Sequence, residues 1–131
     1  MSGQFDVSIK AVRAVDKGTN FTVDDVPAGT PFDVTADFEV GSAIRAFTAS
    51  YTVRTTIRNT TTYRIVARET LYGTVEGSQA TDPLLLLLRI PVPAGWTAEP
   101  GDVLDVQAVL IYRSGAATNS SHVAGPEFLV A

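Results

Sequence analysis

The longest apolar segment of the chain is Pro83-Leu-Leu-Leu-Leu-Leu-Arg-Ile-Pro-Val-Pro93. With roughly seven apolar residues it is too short for a membrane-spanning helix, which needs about 20. Successive side chains of a β-strand point to opposite faces, so the segment separates into two sets. The first set is wholly apolar and comprises Leu84, Leu86, Leu88, Ile90 and Val92. The second set comprises Leu85, Leu87, Arg89, Pro91 and Pro93. The segment therefore predicts a core strand whose outer face is apolar at one end.

Length and composition indicate one folded domain over residues 1–131. The 131 residues are 45% hydrophobic and 18% charged, which is typical of a globular chain with a single core. The net charge is −4, and the ten lysine and arginine residues are spread along the sequence, so nucleic-acid binding is not expected. The absence of cysteine excludes disulfides and thiolate zinc sites.

The first residues, Met-Ser-Gly-Gln-Phe-Asp-Val, contain neither a charged nor an apolar region of the kind found in a signal peptide. We therefore expect synthesis in the cytoplasm without export, no membrane span, and a final location there or in a virion or other assembled particle.

A second core strand is indicated by strict alternation in the segment 32–40. Its apolar residues at every second position are Phe32, Val34, Ala36, Phe38 and Val40. A further alternating segment runs from Phe47 to Arg58, and the two segments are candidates for a hairpin with both apolar sets inward. Paired residue numbers that sum to 87 would place Val40 opposite Phe47 and Asp33 opposite Arg54, which is chemically reasonable.

The remaining sequence contains further strand patterns and no convincing helical period. We predict a first strand with Phe5, Val7, Ile9 and Ala11 in phase, other strands at 63–73 and 104–112, a flexible loop at 114–121 and a short last strand at 127–130. The fold class predicted is all-β, an antiparallel two-sheet sandwich of about seven to nine strands.

Three stretches carry a resemblance to a known family. These are Ala28-Gly-Thr-Pro-Phe-Asp-Val34, and Leu88-Arg-Ile-Pro-Val-Pro93 followed by Pro100-Gly-Asp-Val-Leu-Asp-Val-Gln-Ala-Val-Leu110. The pattern resembles the immunoglobulin-like or fibronectin-like sandwiches of bacterial and phage proteins. It lacks the cysteine pair of antibody domains, and Trp96 stands in a turn rather than within a strand. The resemblance implies a fold and no activity.

The sequence offers little for catalysis, metal binding or a cofactor. His122 is the single histidine, and no nucleophile motif surrounds it. Loop carboxylates such as Asp24 and Asp25 are groups that calcium could use, but no Asp-x-Asp-x-Asp-Gly loop is present. We predict no enzymatic activity, no metal site and no cofactor.

The strongest functional indication is apolar side chains on predicted outer faces. Leu85, Leu87, Val109 and Ile111 would point outward, and the segment Phe128–Val130 is apolar in both phases. Contiguous exposed apolar groups mark contacts with other chains, unless loops or long neighbouring side chains cover them. We therefore predict a non-enzymatic structural or interaction subunit, such as a capsid decoration or filament subunit, that self-associates or joins a larger assembly. The predicted contact residues are Leu85, Leu87, Val109, Ile111, Phe128 and Val130.

The alternative is a carbohydrate-binding module. Sugar-binding sandwiches display aromatic side chains on an outer surface, and Trp96 with Tyr72 would supply such a platform. A tryptophan in a turn also commonly covers the end of a core, so the sequence leaves both roles for Trp96 open.

Overall fold

The computed structural model describes residues 6–115 and 117–131, which form nine β-strands and one turn of 3-10 helix at Ile44–Ala46. The strands are β1 Val7–Val15, β2 Asp25–Val26, β3 Phe32–Val40, β4 Ala49–Asn59, β5 Arg64–Val75, β6 Leu84–Val92, β7 Val103–Ser114, β8 Ala117–Ala124 and β9 Phe128–Val130. They make two sheets, which confirms the predicted all-β sandwich.

The smaller sheet has three antiparallel strands in the order β1–β3–β6. The larger has six strands, with the order β2–β9–β7–β4–β5 and β8 also paired to β7. In the three-stranded sheet β3 is central, and its residues Val34 and Phe38 pair with Ile90 and Leu86 of the leucine-rich strand β6. The strand with the most regular alternation of apolar residues, β3, is therefore the central strand of its sheet.

The core lies between the inner faces of the two sheets. Phe38 of the three-stranded sheet packs edge-on against Tyr51 and Tyr112 of the six-stranded sheet, with ring centroids 5.4 and 6.3 Å apart. Toward one end, Phe32 packs against Phe128 and Trp96 in the same way. The predicted inward residues of β3 and β6 all contribute to this core, where Ile90 and Val92 are buried and the inward leucines are half-buried.

The candidate hairpin between β3 and the following strand does not form. β3 pairs with β1 and β6, whereas β4 pairs with β5 and β7 in the other sheet. Two strands with one apolar face each can bury those faces by facing one another across the core, and alternation is the same in both arrangements. The chain crosses between the sheets through residues 41–48, and Phe47 lies in this connection, exposed.

Two further predictions need correction. A bulge in β1 between Ile9 and Ala11 shifts the alternation, so Val12 and Ala14 are buried in place of Ala11. Phe5 lies outside the described residues.

The predicted loop at 114–121 is instead mostly strand: β8 pairs with β7 along residues 117–124. Its many small polar side chains concealed that strand, because they give a weak alternation signal.

Candidate interaction faces

The four outward residues predicted at mid-strand positions lie on opposite sides of the sandwich. Leu85 and Leu87 point away from the core on the three-stranded sheet, where they are 70% and 55% exposed. Val109 and Ile111 lie on the outer face of the six-stranded sheet, Val109 being 41% exposed and Ile111 half-buried. Within residues 6–115 and 117–131, no loop covers the two leucines enough to bury them, so their apolar surface is exposed in the folded domain.

The leucine face comprises Leu85, Leu87, Asp37, Glu39 and Lys10. The antiparallel register places Glu39 beside Leu85 and Asp37 beside Leu87. Lys10 of β1 lies on the far side of β3, with its Nζ 4.0 Å from Glu39 Oε2. Two leucines at the sheet edge are therefore flanked on one side by carboxylates, as in an apolar contact patch with a charged rim.

The edge of β6 itself is less suited to pairing with another strand. Pro91 lies in the paired part of the strand, opposite Asp33, and a proline has no N–H to donate to a neighbouring strand. Arg89, two residues earlier, also points outward and is tied to Asp33. A partner would consequently contact the face of β6 rather than extend the sheet.

The arginine face is the outer surface of the six-stranded sheet around Val109 and Ile111. The register aligns Arg54 with Val109 and Thr52 with Ile111, and places Tyr72 of β5 beside Thr52. The same register adds Arg68 of β5 and Arg113, near the end of β7, to this face. The residues of this face are Arg54, Arg68, Tyr72, Val109, Ile111 and Arg113.

This face concentrates basic charge that is dispersed in the sequence. Within the described part of the chain, no ion pair forms at Arg54, Arg68 or Arg113. A fourth arginine on the same side, Arg58, is neutralised by Asp105 through two hydrogen bonds of 3.0 and 2.6 Å. These bonds raise the pKa of Arg58 above its ordinary value. Strand pairing thus gathers residues distant in sequence, which composition and spacing alone do not reveal.

Phe128 and Val130 were predicted as contact residues, and this prediction is wrong. Both side chains are buried in the core, with Phe128 against Phe32 at 5.6 Å between ring centroids. Strand β9 is held on both sides, by β2 and by β7, and only the middle residue, Leu129, points outward. A strand that is apolar in both phases gives no signal to tell its inner from its outer side chains.

Of the two roles that the sequence left open for Trp96, an exposed sugar-binding aromatic or a cover for the end of the core, the structure contradicts the first. The side chain is buried, packs edge-on against Phe32 at 5.9 Å, and donates a 2.7 Å hydrogen bond from Nε1 to the carbonyl of Thr30. It closes one end of the core. Tyr72 is exposed but belongs to the arginine face, so the two aromatics do not form one platform.

The remaining polar candidates lie apart from one another. His122 is exposed on β8, where it pairs with Val109 rather than standing in a loop. In the ranges 6–115 and 117–131, no three histidine, cysteine or acidic side chains are grouped so that they could hold a metal ion. Nor does that part of the chain contain a helix long and apolar enough to cross a membrane.

One carboxylate on the outer side of the three-stranded sheet is buried and serves the fold. Asp33 Oδ2 accepts hydrogen bonds from Arg89 Nη1 at 2.8 Å and from the Gly18 N–H at 2.9 Å, and Lys17 Nζ lies 3.8 Å from Oδ1. Burial raises the pKa of Asp33, but these donors and charges outweigh it, and the pKa is lowered below its ordinary value. The arrangement anchors the loop after β1 to strands β3 and β6.

Comparison with known proteins identifies no family: no protein-family model and no curated protein matches the chain. Among solved structures, the chain is similar to a glycosyl hydrolase family 2 member from Bacteroides cellulosilyticus (10% identity, TM-score 0.47, 90% of this chain and 15% of that one). It is also similar to a β-glucuronidase of the same hydrolase family (10% identity, TM-score 0.45, 90% and 12%). A third is a Bordetella pertussis protein provisionally named ApaA (12% identity, TM-score 0.45, 100% and 97%).

The chain therefore spans less than a fifth of the two hydrolases. At these identities and TM-scores, the likeness indicates no activity, ligand or partner for this chain. The two-sheet sandwich rests on the pairing of its own strands, and the bacterial or phage type of the resemblance stays a prediction.

Proposed function

We propose that this protein is a non-enzymatic structural subunit that acts through protein–protein contacts, as a capsid decoration or filament subunit does. The observation that carries the proposal is the exposure of Leu85 and Leu87 side by side on a regular strand. In the proposed setting, the protein is made in the cytoplasm and is incorporated into a particle there.

The energetics favour a contact at the leucine face. Complete burial of a leucine side chain contributes about 1.5–3 kcal/mol, so burying the exposed part of each would contribute about 1–2 kcal/mol. Together the two leucines would strengthen an association roughly 30- to 1,000-fold, since each 1.4 kcal/mol is a factor of ten. Because both leucines stand on a paired strand, little backbone freedom is lost on binding.

The leucine face also has the arrangement of residues that is typical of a protein–protein interface. Apolar side chains lie at the centre of the patch, and the carboxylates of Asp37 and Glu39 form part of its rim. On the opposite side of the domain, the arginine face contains tyrosine and arginine, which are enriched at interface centres, beside aliphatic residues. A domain with contact surfaces on two opposite sides is suited to an assembly with more than two members.

The test compares particle mass for wild-type protein and a Leu85→Thr/Leu87→Thr variant by light scattering across a concentration series. Threonine keeps a high strand preference while removing the apolar surface. We expect the wild type to form an oligomer or polymer and the variant to have a smaller mass at unchanged thermal stability. A Phe47→Thr variant, which removes an exposed aromatic from the connection between the sheets, is the matched control and should assemble like the wild type.

Two results would overturn the proposal. One is a wild type that remains monomeric while the leucine variant is equally soluble and stable. The other is a leucine variant that assembles like the wild type, since the exposed leucines would then have no part in assembly.

A further inference from the structure

We infer that the leucine face of one copy binds the arginine face of another, so that copies of the chain join head to tail. This inference rests on the proposed function and names the partner of the leucine face as a second copy of the same chain. The two faces lie on opposite sides of the sandwich. A row of joined copies therefore has a free leucine face at one end and a free arginine face at the other. Such a heterologous contact propagates into an open filament or closes into a ring.

The apolar parts of the two faces match in spacing. Leu85 and Leu87 are two residues apart on β6, and Val109 and Ile111 are two residues apart on β7. In each pair the side chains point the same way and stand about 7 Å apart along the strand. With β6 of one copy over β7 of the next, both leucines meet an aliphatic side chain, as in the packing of two sheets.

The charges beside the apolar residues are complementary. Asp37 projects from β3 directly next to Leu87, and Glu39, next to Leu85, lies 4.0 Å from the Nζ of Lys10. Arg54 projects from β4, directly next to Val109, and forms no ion pair within the described residues. When β3 lies over β4 in the stacked arrangement, the two carboxylates lie over the strand that carries Arg54. A charged pair at this position would fix both the orientation and the choice of partner.

Like faces are less compatible with each other. Two arginine faces in contact would bring together the unpaired charges of Arg54, Arg68 and Arg113, and juxtaposed like charges in an interface are costly. Two leucine faces in contact would bring the Asp37 carboxylates of the two copies together, and the Lys10 beside Glu39 would offset only part of that repulsion. The leucine face therefore fits the arginine face better than either fits itself.

The decisive experiment is complementation between two variants that each lack one face. Leu85→Thr/Leu87→Thr leaves only the arginine face, and Val109→Thr/Ile111→Thr leaves only the leucine face. Each variant alone should be monomeric by light scattering, and an equimolar mixture should form a one-to-one complex that does not grow further. Thermal unfolding of each variant establishes that it is folded.

The charge contact is then tested within this mixture. Adding Arg54→Glu to the leucine variant should raise the dissociation constant about tenfold or more, and adding Asp37→Lys to its partner should restore most of the affinity. Arg64→Glu, an exposed arginine outside the arginine face, is the matched control and should leave the affinity within about threefold, as expected for a screened charge away from the contact.

The outcomes separate this inference from the proposed function. If the leucine variant loses assembly while the Val109→Thr/Ile111→Thr variant assembles like the wild type, the head-to-tail contact is wrong and the proposed function stands. A mixture of the two variants that stays monomeric overturns the inference in the same way. If the leucine variant itself assembles normally, the proposed function falls first.

Discussion

The buried carboxylate of Asp33 is the clearest point at which one substitution should weaken the fold. Asp33 is 3% exposed, although it carries a charge and lies on the outer side of its sheet. An Asp33→Asn variant keeps the volume and an oxygen that can still accept the Gly18 N–H. It loses the charge that holds Arg89 at 2.8 Å and Lys17 at 3.8 Å.

The loss should be close to the contribution of one hydrogen bond between charged groups. Such a bond contributes about 1.5–3 kcal/mol, while the more exposed Lys17 pair adds well under about 1 kcal/mol. Arg89 is partly exposed, so water recovers some of the difference. We expect a destabilisation of about 2 kcal/mol, which lowers the urea midpoint by about 1 M when the dependence on urea is about 2 kcal/mol per molar.

The assay is urea unfolding followed by the fluorescence of Trp96, the single tryptophan, which is buried against Phe32, the residue before Asp33. The matched control is Asp16→Asn, an exposed carboxylate at the start of the same loop, which should change stability by less than about 0.5 kcal/mol. An Asp33→Asn midpoint equal to that of the wild type at neutral pH would refute the reasoning.

The difference in stability between the wild type and Asp33→Asn should depend on pH, and the lowered pKa of Asp33 gives the direction of that dependence. Because the pKa of Asp33 is lowered in the folded protein, its charge stabilises the fold above the pKa of the unfolded chain. That contribution is lost as the pH falls through the folded-state pKa. The difference between the wild type and Asp33→Asn should therefore be largest near neutral pH and should close in acid. A difference that persists unchanged at low pH would have another origin.

Two further substitutions test the interior of the sandwich. Tyr112 is fully buried, burial raises the pKa of its phenol, and its hydroxyl has no hydrogen-bond partner within the described residues. Tyr112→Phe should therefore be neutral or stabilising by up to about 1 kcal/mol in urea unfolding, and a loss of more than about 1 kcal/mol would reveal a hydrogen bond that this arrangement lacks. Gly125 approaches the backbone carbonyl of Val12 where the β8–β9 connection passes β1, and an added methyl group would collide with it. Gly125→Ala should lower stability by about 1–3 kcal/mol, and a melting temperature equal to that of the wild type would show that this contact is looser than described.

The alternation of apolar side chains was sufficient to predict the fold class and several strand faces. It placed Leu84, Leu86 and Leu88 inward and Leu85 and Leu87 outward, and the structure agrees. The prediction of inward and outward side chains succeeds because side-chain direction in a strand follows from the local backbone geometry, which repeats every two residues. The prediction failed where that period is interrupted, as at the bulge after Ile9, or where both phases are apolar, as in the segment 128–130.

The sequence by itself determined which side chains are apolar at alternate positions, and hence an all-β sandwich with the outward leucines Leu85 and Leu87. Only the tertiary structure decided which strands are neighbours. Alternation is equally satisfied by side-by-side pairing and by packing across the core, so it did not distinguish a β3–β4 hairpin from two strands in opposite sheets. The grouping of Arg54, Arg68 and Arg113 around Val109 depends on those pairings, because strand neighbours, rather than distance along the chain, bring these side chains together.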